Sequence, residues 1–408
     1  MNISLFIARR IQHTQGKSFS STVNQIGIAG IAIGIAVMIV SFAILGGFKR
    51  TIREKIFSFG AHLQVSRFHM NRSFDENPIS TNTDLYTQYQ QIPEISHIQV
   101  YSHKVGLLKT DEELSGVVLK GVGKDFNLDA FRQNMVEGSF ISFPDTTYSD
   151  EIVISRKIAS QLKLDLDESV LLYFIQNMQS RPRVRKLTVS GIYATGMEEF
   201  DESIVIGDIR LIQRLNDWSD TLVGGYEIYL TDFRNIDEGA EKVFDLMDYD
   251  MQVEKITDKY IQIFDWLSLL NRNVAIFLAL ILFVACFNMV AILLILIMER
   301  TQMIGILKAV GASHKQVRQI FLWGGVRLVL KGLIWGNLTG IAFCAVQYYF
   351  GLIPLDVEAY YMNTVPIDWD WGLILLLNLA VLALVSLVLI IPTIIISRIQ
   401  PVQALRFD

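Results

Sequence analysis

The chain has little of the chemistry that enzymes and metal proteins need. Its 408 residues include two cysteines, Cys286 and Cys344, and six histidines. Both cysteines lie inside apolar runs and the histidines show no ligand spacing, so neither a disulfide nor a zinc site is expected. Neither the nucleophile elbow of α/β hydrolases nor the HExxH motif of zinc proteases occurs. We therefore predict no catalytic residue, no metal and no cofactor on this chain.

Two further absences concern nucleotides and nucleic acids. The glycine-rich phosphate-binding motif of P-loop proteins is missing, and the stretch GASHK that begins at Gly311 has neither its spacing nor a preceding strand. If ATP drives this protein, another chain must supply the site. The net charge of −5 is small and argues against a nucleic-acid partner.

Apolar sequence is what the chain has in excess, at 51% of its residues. The excess is concentrated in four blocks, and a block of about 20 residues suffices to cross a hydrocarbon core of ~30 Å. The first block is not a cleavable signal peptide, because it is too long and basic amphipathic sequence follows it. We predict an α-helical membrane protein with four transmembrane helices and a large α+β domain inserted between helices 1 and 2.

Basic residues in the short flanks predict the orientation. Lysine and arginine occur in the N-terminal flank, between spans two and three, and in the C-terminal tail, whereas Asp356, Glu358, Asp368 and Asp370 lie between spans three and four. Both termini are therefore predicted to be cytoplasmic and the large domain to lie outside. The predicted segments are the N-terminal segment 1–25, helix 1 at 26–48, the outside domain 49–266 with stalk helices and a possible inserted subdomain near 110–220, helix 2 at 267–298, a cytoplasmic helix at 299–313, helix 3 at 314–350, an outside loop at 351–370, helix 4 at 371–397 and the tail 398–408.

Several polar residues occur within or beside the predicted spans. Arg327 and Lys331 either form a buried functional charge pair or extend to the interface with their long side chains. Asn288 and Gln347 are expected to hydrogen-bond between helices rather than to line a transport pathway.

The segment between spans two and three is charged and amphipathic. Its apolar residues recur at helical spacing and are Met303, Ile306, Leu307 and Val310. Gly311 offers a helix stop, since glycine takes the left-handed conformation at little cost. Ser313 and Gln316 form a capping box that begins the next helix. The pattern predicts a short helix across the cytoplasmic mouth of the bundle, placed to receive a push from a soluble partner.

Span one is rich in small residues. Gly27, Gly30 and Gly34 fall on one helical face, and Gly30 with Gly34 makes a GxxxG pair. Close packing of span one is expected on this face, and which helix it meets is open. Phe48, Ile52 and Ile56 repeat every fourth residue, so the span is expected to continue as a stalk helix that ends at Gly60.

The outside domain alternates short strands with short helices. Glu151-Ile-Val-Ile is predicted to be a strand that runs into a helix over 156–164, and Ser203–Gly207 repeats that pattern before a helix over 208–215. The stretch 176–186 is a basic turn between strands. Its residues Arg181, Pro182 and Arg183 either dock an acidic partner or form an ordinary solvated hairpin.

This layout and five sequence blocks resemble one family. The blocks are Gly46–Val65, Gly116–Val122, Glu151–Leu164, Glu299–Ser313 and Gln400–Asp408. The chain resembles the permease subunits of ABC transporters of the macrolide-exporter and cell-division type. Within that group it is similar to the lipoprotein-releasing permeases of the Gram-negative inner membrane.

The resemblance implies a multi-pass protein of the bacterial inner membrane whose large domain is periplasmic. Two permeases, the same chain or a paralogous pair, would work with an ABC ATPase dimer that binds ATP and Mg. A lipoprotein would be the substrate and a periplasmic lipoprotein carrier the acceptor, with membrane lipids around the spans. The segment 299–313 would be the coupling helix. Its residues would be Glu299, Arg300, Met303, Ile304, Ile306, Leu307, Lys308, Val310, Gly311 and Ser313.

The resemblance also implies a lateral cleft for acyl chains between spans one and two. At the depth of the outer leaflet its walls would be Ile39, Phe42, Ala43, Ile276, Phe277 and Leu280, each of which could equally be a lipid-facing or packing residue. One permease type of the family hooks the carrier with a long hairpin. The hairpin at 174–187 is short here, so whether Arg181, Pro182 and Arg183 dock the carrier is open.

We therefore predict a permease subunit, without enzymatic activity of its own, that extracts lipoproteins from the outer leaflet of the inner membrane and passes them to the carrier. A Leu307→Glu change is expected to uncouple the ATPase. Two alternatives remain: an exporter of peptides, antibiotics or lipids with the same architecture, and a signalling permease that activates a periplasmic hydrolase.

Overall fold

The computed structural model describes residues 19–68, 76–110, 113–174 and 182–394. These residues form two compact units. The first, here called the membrane unit, comprises the chain up to Lys49, the range Trp266–Pro354 and the chain from Thr364 onward. The second, here called the α/β domain, comprises Arg50–Asp265 together with Leu355–Asn363. The connection between the third and fourth apolar helices therefore contributes residues to both units.

The helices are α1 (Phe19–Gly60), α2 (Asp84–Gln88), α3 (Leu128–Arg132), α4 (Arg156–Leu162), α5 (Glu198–Asp201), α6 (Ile209–Leu215), α7 (Ile236–Leu246), α8 (Ile256–Lys259), α9 (Ile261–Glu299), α10 (Thr301–Ala309), α11 (His314–Phe350), α12 (Val357–Tyr360), α13 (Trp371–Val388) and α14 (Ile390–Thr393). The strands are β1 (Leu63–Arg67), β2 (Ile79–Ser80), β3 (Ile95–Lys109), β4 (Leu114–Val122), β5 (Met135–Gly138), β6 (Glu151–Ser155), β7 (Ser169–Phe174), β8 (Arg183–Tyr193), β9 (Ile204–Asp208), β10 (Leu222–Val223), β11 (Gly225–Leu230) and β12 (Met251–Lys255).

Four helical segments of the described chain are long and apolar enough to cross a membrane. They are Thr22–Gly60, Ile261–Glu299, His314–Phe350 and Trp371–Thr393. This confirms the expected number of apolar helices. In the sequence, the strands of the α/β domain lie between the first and second of these helices.

Helix α9 packs against the glycines of α1. A Cβ on Gly27 would lie 2.6 Å from Cδ1 of Ile292, and one on Gly30 would lie 2.8 Å from Nδ2 of Asn288. Gly34 faces Ile281 at an ordinary contact distance of 3.5 Å. The glycine face of α1 thus meets α9, and the two helices approach so closely that side chains at Gly27 and Gly30 would clash.

A second glycine row lies on α11 and packs against another face of α1. Gly332, Gly336 and Gly340 are spaced by four residues, so they share one side of the helix. A Cβ on Gly332 would lie 2.6 Å from Cβ of Ile31, and one on Gly336 would lie 2.7 Å from the carbonyl oxygen of Ala32. Gly340 approaches Cα of Ala36 at 3.1 Å. Helix α1 is therefore in close contact with both α9 and α11.

Two glycines in the interior of α1 admit the segment that precedes α13. A Cβ on Gly47 would lie 2.7 Å from the carbonyl carbon of Pro366. The amide of Asp368 donates to the carbonyl oxygen of Ala43 at 3.0 Å, and a Cβ on Gly46 would lie 3.3 Å from Asp368. A glycine in the interior of a helix lowers helix stability by about 1 kcal/mol relative to alanine. Here the cost is offset by the backbone contact that its missing side chain permits.

The α/β domain is built on one ten-stranded sheet. Nine strands follow the order β12-β1-β11-β3-β4-β9-β6-β8-β5, and β7 pairs with β3 and β8. The pairs β4/β9 and β6/β8 are parallel, and the other pairs are antiparallel. Strands β2 and β10 form a small second sheet. The strands between Leu114 and Asp208 belong to the same sheet as β1 and β12.

The two predicted strand-to-helix units are confirmed. Strand β6 runs into α4, where the hydroxyl of Ser155 accepts from the amide of Ile158 at 3.0 Å. Strand β9 runs into α6, where the carboxylate of Asp208 accepts from the amide of Arg210 at 2.9 Å. Each cap satisfies a backbone donor that the first helical turn leaves without a partner. Both helices bury leucines and isoleucines against the sheet.

The end of α1 is a packing element of the α/β domain. Phe59 stacks on Phe200 with ring centroids 4.4 Å apart and also contacts Phe131 and Tyr193. Gly60 is the last helical residue, as expected, yet the left-handed residue is the next one, Ala61, with φ of 51°. A Cβ on Gly60 would lie 2.6 Å from Ile256. The glycine therefore serves close packing, and not the turn itself.

An ion pair lies in the middle of the sheet. Lys120 of β4 and Glu227 of β11 are 1% and 0% exposed, and their charged atoms are 2.6 Å apart. Lys120 also donates to the carbonyl oxygen of Phe59, at the end of α1. The side-chain amides of Gln64 and Gln99 donate to the Glu227 carboxylate at 3.1 and 2.7 Å. The two buried charges thus have the additional hydrogen bonds that desolvation requires.

Replacing Lys120→Met should destabilise the α/β domain by about 3–5 kcal/mol, because Glu227 would stay buried without its counter-charge. The measurement is hydrogen–deuterium exchange at β4 and β11 of the full-length protein in detergent. Lys124→Met is the control, since the Lys124–Asp145 pair is exposed and should contribute below about 1 kcal/mol. Adding Glu227→Met to Lys120→Met should restore most of the loss. Unchanged exchange in Lys120→Met would contradict this account.

Candidate functional site

The segment between α9 and α11 folds as a separate short helix. Helix α9 ends at Glu299 and α10 covers Thr301–Ala309, so the helical part is shorter than the predicted range 299–313. The hydroxyl of Thr301 donates to the carbonyl oxygens of Ile297 and Met298 at 3.2 and 2.7 Å. These bonds satisfy backbone acceptors of the last turn of α9 and mark the break between the two helices.

Gly311 ends α10 through a Schellman motif. The amide of Ala312 donates to the carbonyl oxygen of Leu307 at 2.9 Å, and the amide of Gly311 donates to that of Lys308 at 3.1 Å. Gly311 has φ of 96°, a conformation in which any side chain is strained. Helix α11 then begins with the predicted capping box, in which the Ser313 hydroxyl accepts from the amide of Gln316 at 3.3 Å and the Gln316 side chain accepts from the amide of Ser313 at 2.9 Å. Both ends of the connection are thus fixed by local hydrogen bonds.

The apolar residues of this segment divide into two sets. Ile304 is fully buried, and Met303 and Leu307 pack against the core of the membrane unit. Ile306 is 50% exposed, Val310 84% and Met298, just before the segment, 75%. Of the other predicted coupling residues, Glu299, Gly311 and Ser313 are exposed, and Arg300 and Lys308 are half-buried. The outward apolar surface is therefore Ile306 and Val310, and Leu307 serves the protein's own core.

The six predicted cleft residues do not share one surface. Ile39 and Ala43 are 1% and 8% exposed, and Ile39 packs beside Gly340 of α11. Phe42 is half-buried. Ile276, Phe277 and Leu280 are exposed on α9. The α1 side of the predicted cleft thus lies largely inside the membrane unit, whereas the α9 side is open.

The exposed face of α9 extends beyond the predicted residues. Phe283, Val284 and Phe287 continue the row begun by Ile276, Phe277 and Leu280. The spacing of three, four and seven residues places them on one helical face. We call this row of six the α9 stripe. The sequence carried no signal for this face, because the block is apolar on every side and its periodicity does not distinguish one face from another.

Two of the three predicted docking residues, at the hairpin between β7 and β8, lie within the described residues. Arg181 lies outside the described residues, and Pro182 is exposed. Arg183 forms the last pair of the hairpin with Phe174. Its guanidinium donates to the carbonyl oxygen of Leu215 at 2.7 Å and to Asp217 at 3.0 Å. Arg183 therefore holds the end of the hairpin that adjoins the turn to the loop after α6.

A contact that the sequence did not indicate joins α1 to the connection between the third and fourth apolar helices. Lys55 of α1 donates both to the carbonyl oxygen of Thr195 and to that of Tyr361. Gly196, with φ of 74°, lets Val357 approach: a Cβ there would lie 2.7 Å from its Cγ1. We call the interaction of Lys55 with these two carbonyls the Lys55 clasp. All three partners belong to the α/β domain.

A carboxylate orients the turn that accepts from Lys55. Asp201 accepts from the amides of Thr195 and Gly196 at 3.1 and 2.8 Å, and from the Thr195 hydroxyl at 2.8 Å. Burial lowers the pKa of the Lys55 ammonium, and the nearby Asp201 carboxylate raises it in part. A desolvated ammonium strongly favours its hydrogen-bond acceptors, since few waters replace them.

The fold first defines the class of protein. Four apolar helices and a large mixed-sheet domain make a multi-pass membrane protein. Two family models divide the chain in the same way: the MacB-like periplasmic core domain matches residues 26–243, and the FtsX-like permease C-terminal model matches residues 275–401. The first covers more than half of the chain. The chain therefore belongs to the family of ABC transporter permeases with a MacB-like periplasmic core domain and an FtsX-like C-terminal region.

Three curated relatives match along nearly their whole length. The chain is 22% identical to the lipoprotein-releasing system transmembrane protein LolC of Xylella fastidiosa, over 98% of this chain and 97% of the relative. It is 25% identical to LolC of Neisseria meningitidis, over 98% of both chains, and 23% identical to the lipoprotein-releasing system transmembrane protein LolE of Haemophilus influenzae, over 99% of both. The expected resemblance is confirmed, and the protein is a multi-pass inner-membrane protein.

The Lys55 clasp predicts a local effect. Lys55→Met would leave the carbonyls of Thr195 and Tyr361 without their charged donor, so the amides of Leu355, Tyr360 and Tyr361 should exchange with deuterium about tenfold faster. Lys157→Met is the control, because its ion pairs with Glu198 and Glu202 are exposed. Equal exchange at 355–363 in wild type and Lys55→Met would show that the clasp does not hold this segment.

Proposed function

We propose that the chain is the permease subunit of an ATP-driven transporter that extracts lipoproteins from the outer leaflet of the inner membrane and delivers them to a periplasmic carrier. The observation that most supports this is the full-length match to relatives named as lipoprotein-releasing transmembrane proteins. A second permease, identical or paralogous, and an ABC ATPase dimer complete the transporter. ATP and Mg bind on the ATPase, and this chain contributes no nucleotide ligand.

Helix α10 is the proposed contact with the ATPase. Ile306 and Val310 face outward, while Met303, Ile304 and Leu307 attach the helix to the membrane unit. Force applied to the outer face would therefore reach the core of the membrane unit directly. The Schellman motif and the capping box keep the helix distinct from α11. In this proposal α10 and both termini are cytoplasmic, as the distribution of basic residues predicts.

The α9 stripe is the proposed surface for acyl chains. From Ile276 to Phe287 the helix rises by about 17 Å. One leaflet of a ~30 Å hydrocarbon core is about half that thickness, so the stripe matches the depth of a single leaflet. Because Ile39 and Ala43 are buried in this chain, the opposite wall of the cleft would come from the second permease. Phe42, which is half-buried, is the α1 residue best placed to contribute.

The α/β domain would pass the lipoprotein to the carrier. Pro182 and the chain before it, including Arg181, are the proposed carrier contact. Arg183 would position that contact from below, through its bonds to Leu215 and Asp217. The segment 355–363 lies in the chain between α11 and α13, and the Lys55 clasp holds it to a turn of the α/β domain. We propose that motion started at α10 reaches the domain partly by this route.

The exposed and inward faces of α10 predict different outcomes for a charge. Val310→Glu should leave the permease folded and lower its stimulation of the partner ATPase by about tenfold or more, because a carboxylate would be desolvated in the contact. The measurement is ATP hydrolysis by the reconstituted transporter with and without lipoprotein. Val136→Glu, at an exposed valine of β5, is the matched control. Leu307→Glu is a poor test, since Leu307 packs in the core and its replacement would disturb folding.

The substrate is tested by depletion and by crosslinking. Depleting the permease should leave lipoproteins in the inner membrane; chaining cells with normal lipoprotein sorting would instead favour the signalling alternative.

A photo-crosslinking residue in place of Phe283, on the α9 stripe, should capture acylated lipoprotein. The same residue in place of Phe343, exposed on α11, should not. Capture of peptides or unmodified lipids alone at Phe283 would favour an exporter.

A further inference from the structure

A groove lies between α11 and α13, on a side of α11 away from its glycine row. Its volume is about 660 Å³. Bulky side chains flank it at Leu330, Ile334 and Leu338, and the small side chains of Ala342 and Ala345 leave its hollow. The groove is not part of the α9 stripe or of α10, and no role in the proposed transport requires it.

Two asparagines at the groove use all of their side-chain N–H donors within the protein. Nδ2 of Asn337 donates to Oδ1 of Asn378 at 2.6 Å, and Nδ2 of Asn378 donates to Oδ1 of Asn337 at 2.9 Å. Each amide also donates to a carbonyl of its own helix, at 2.7 Å for Leu333 and 2.8 Å for Ile374. The pair therefore bridges α11 and α13 and leaves no donor for an occupant. What fills the groove must be apolar.

The length of α11 places the groove in the membrane. From Lys331 to Phe350 the helix rises by about 28 Å, close to the ~30 Å of a hydrocarbon core. Tyr348, Tyr349 and Phe350 are exposed, as expected of an aromatic belt at one interface. Lys331, also exposed, then lies at the opposite interface, and Arg327 lies one turn farther out. The groove begins at Leu330 and runs from that interface into the hydrocarbon.

We propose that this groove binds a membrane glycerophospholipid with an anionic head group. Lys331 and Arg327 bind the phosphate and head group, and one acyl chain lies along Leu330, Ile334, Leu338 and Ile341. From Lys331 to Ile341 the helix rises by about 15 Å, the depth of one leaflet. Basic residues at the membrane surface beside an apolar groove favour anionic lipids over neutral ones. The lipid lies in the leaflet on the side of α10 and would stabilise the α11–α13 pair.

A helix of another protein fits this site less well. Helix pairs in membranes associate through small residues and interhelical hydrogen bonds. Here the small residues of α11 that permit close approach, Gly332, Gly336 and Gly340, already pack against α1. The asparagines are already paired with each other. What the groove offers is apolar surface with cations at one end, which matches a single lipid.

Native mass spectrometry of the full-length protein tests this, after delipidation in detergent and titration with phosphatidylglycerol or phosphatidylcholine of the same acyl chains. Wild type should retain phosphatidylglycerol over phosphatidylcholine. The double variant Arg327→Gln with Lys331→Gln should bind phosphatidylglycerol about tenfold more weakly. Lys315→Gln with Arg318→Gln is the matched control, since it removes two charges from the first turns of α11, about 13 Å or more along the helix from Arg327 and about 20 Å or more from Lys331. It should bind like wild type.

A second variant tests the groove itself. Ala342→Phe fills the hollow and should reduce binding of both lipids. The lipid that still binds should show little preference for phosphatidylglycerol over phosphatidylcholine. Equal binding of phosphatidylglycerol by wild type and the Arg327→Gln, Lys331→Gln variant would overturn the proposal, as would equal affinity of wild type for the two lipids. If Ala342→Phe changed the oligomeric state and left lipid binding intact, the groove would be a protein interface and the proposal would be wrong.

Discussion

The close approach of two helices to α1 is the constraint on which the membrane unit depends. Within lipid, apolar helices gain little from leaving a solvent that is equally apolar, so packing and hydrogen bonds must hold them together. Gly27 and Gly30 open α1 to α9, and the glycines of α11 open that helix to α1. Several of these positions would place a Cβ less than 3 Å from a neighbour. The arrangement of the three helices therefore rests on missing side chains.

This packing decides which surfaces remain for function. Because α11 directs Gly332, Gly336 and Gly340 to α1, its opposite side carries Ile334 and Leu338 outward. For the same reason Ile35 and Ile39 of α1 are buried. Contrary to our prediction, Ile39 therefore does not line an open cleft in this chain. Helix α9 uses Ile292, Asn288 and Ile281 on α1 and keeps the α9 stripe exposed. Helices α9 and α11 thus each have one face committed to the bundle and another that is exposed.

Local signals in the sequence predicted much of the fold and part of the site. The four apolar helices, the capping box of Ser313 and Gln316, and the two strand-to-helix units follow from hydropathy, capping and periodicity, which act over a few residues. The GxxxGxxxG spacing of Gly332, Gly336 and Gly340 is a local signal of the same kind, but our predictions did not include it. The division of α10 was not, because helical spacing assigns Ile306 and Leu307 to one broad apolar face. Only the neighbouring core decides that Leu307 turns inward.

The Lys55 clasp shows a second kind of limit. No sequence pattern connects Lys55 with its two partners. Thr195 lies 140 residues after Lys55 and Tyr361 lies 306 residues after it. The acceptors are backbone carbonyls, so the residue types carry no trace of the contact. The one local signal is Gly196, whose φ of 74° and proximity to Val357 exclude a side chain.

The chemistry of the clasp suits a joint that must hold and release. An ammonium bound to two neutral carbonyls lacks the full attraction of an ion pair, and burial already lowers the pKa of Lys55. Release would return the ammonium to water, so part of the cost of breaking its two hydrogen bonds would be recovered as hydration. The pair Lys120–Glu227 is the opposite case, because separating it would leave two buried charges each without its counter-charge. If the segment 355–363 transmits motion as proposed, the Lys55 clasp, rather than the Lys120–Glu227 pair, is the contact suited to open and form again.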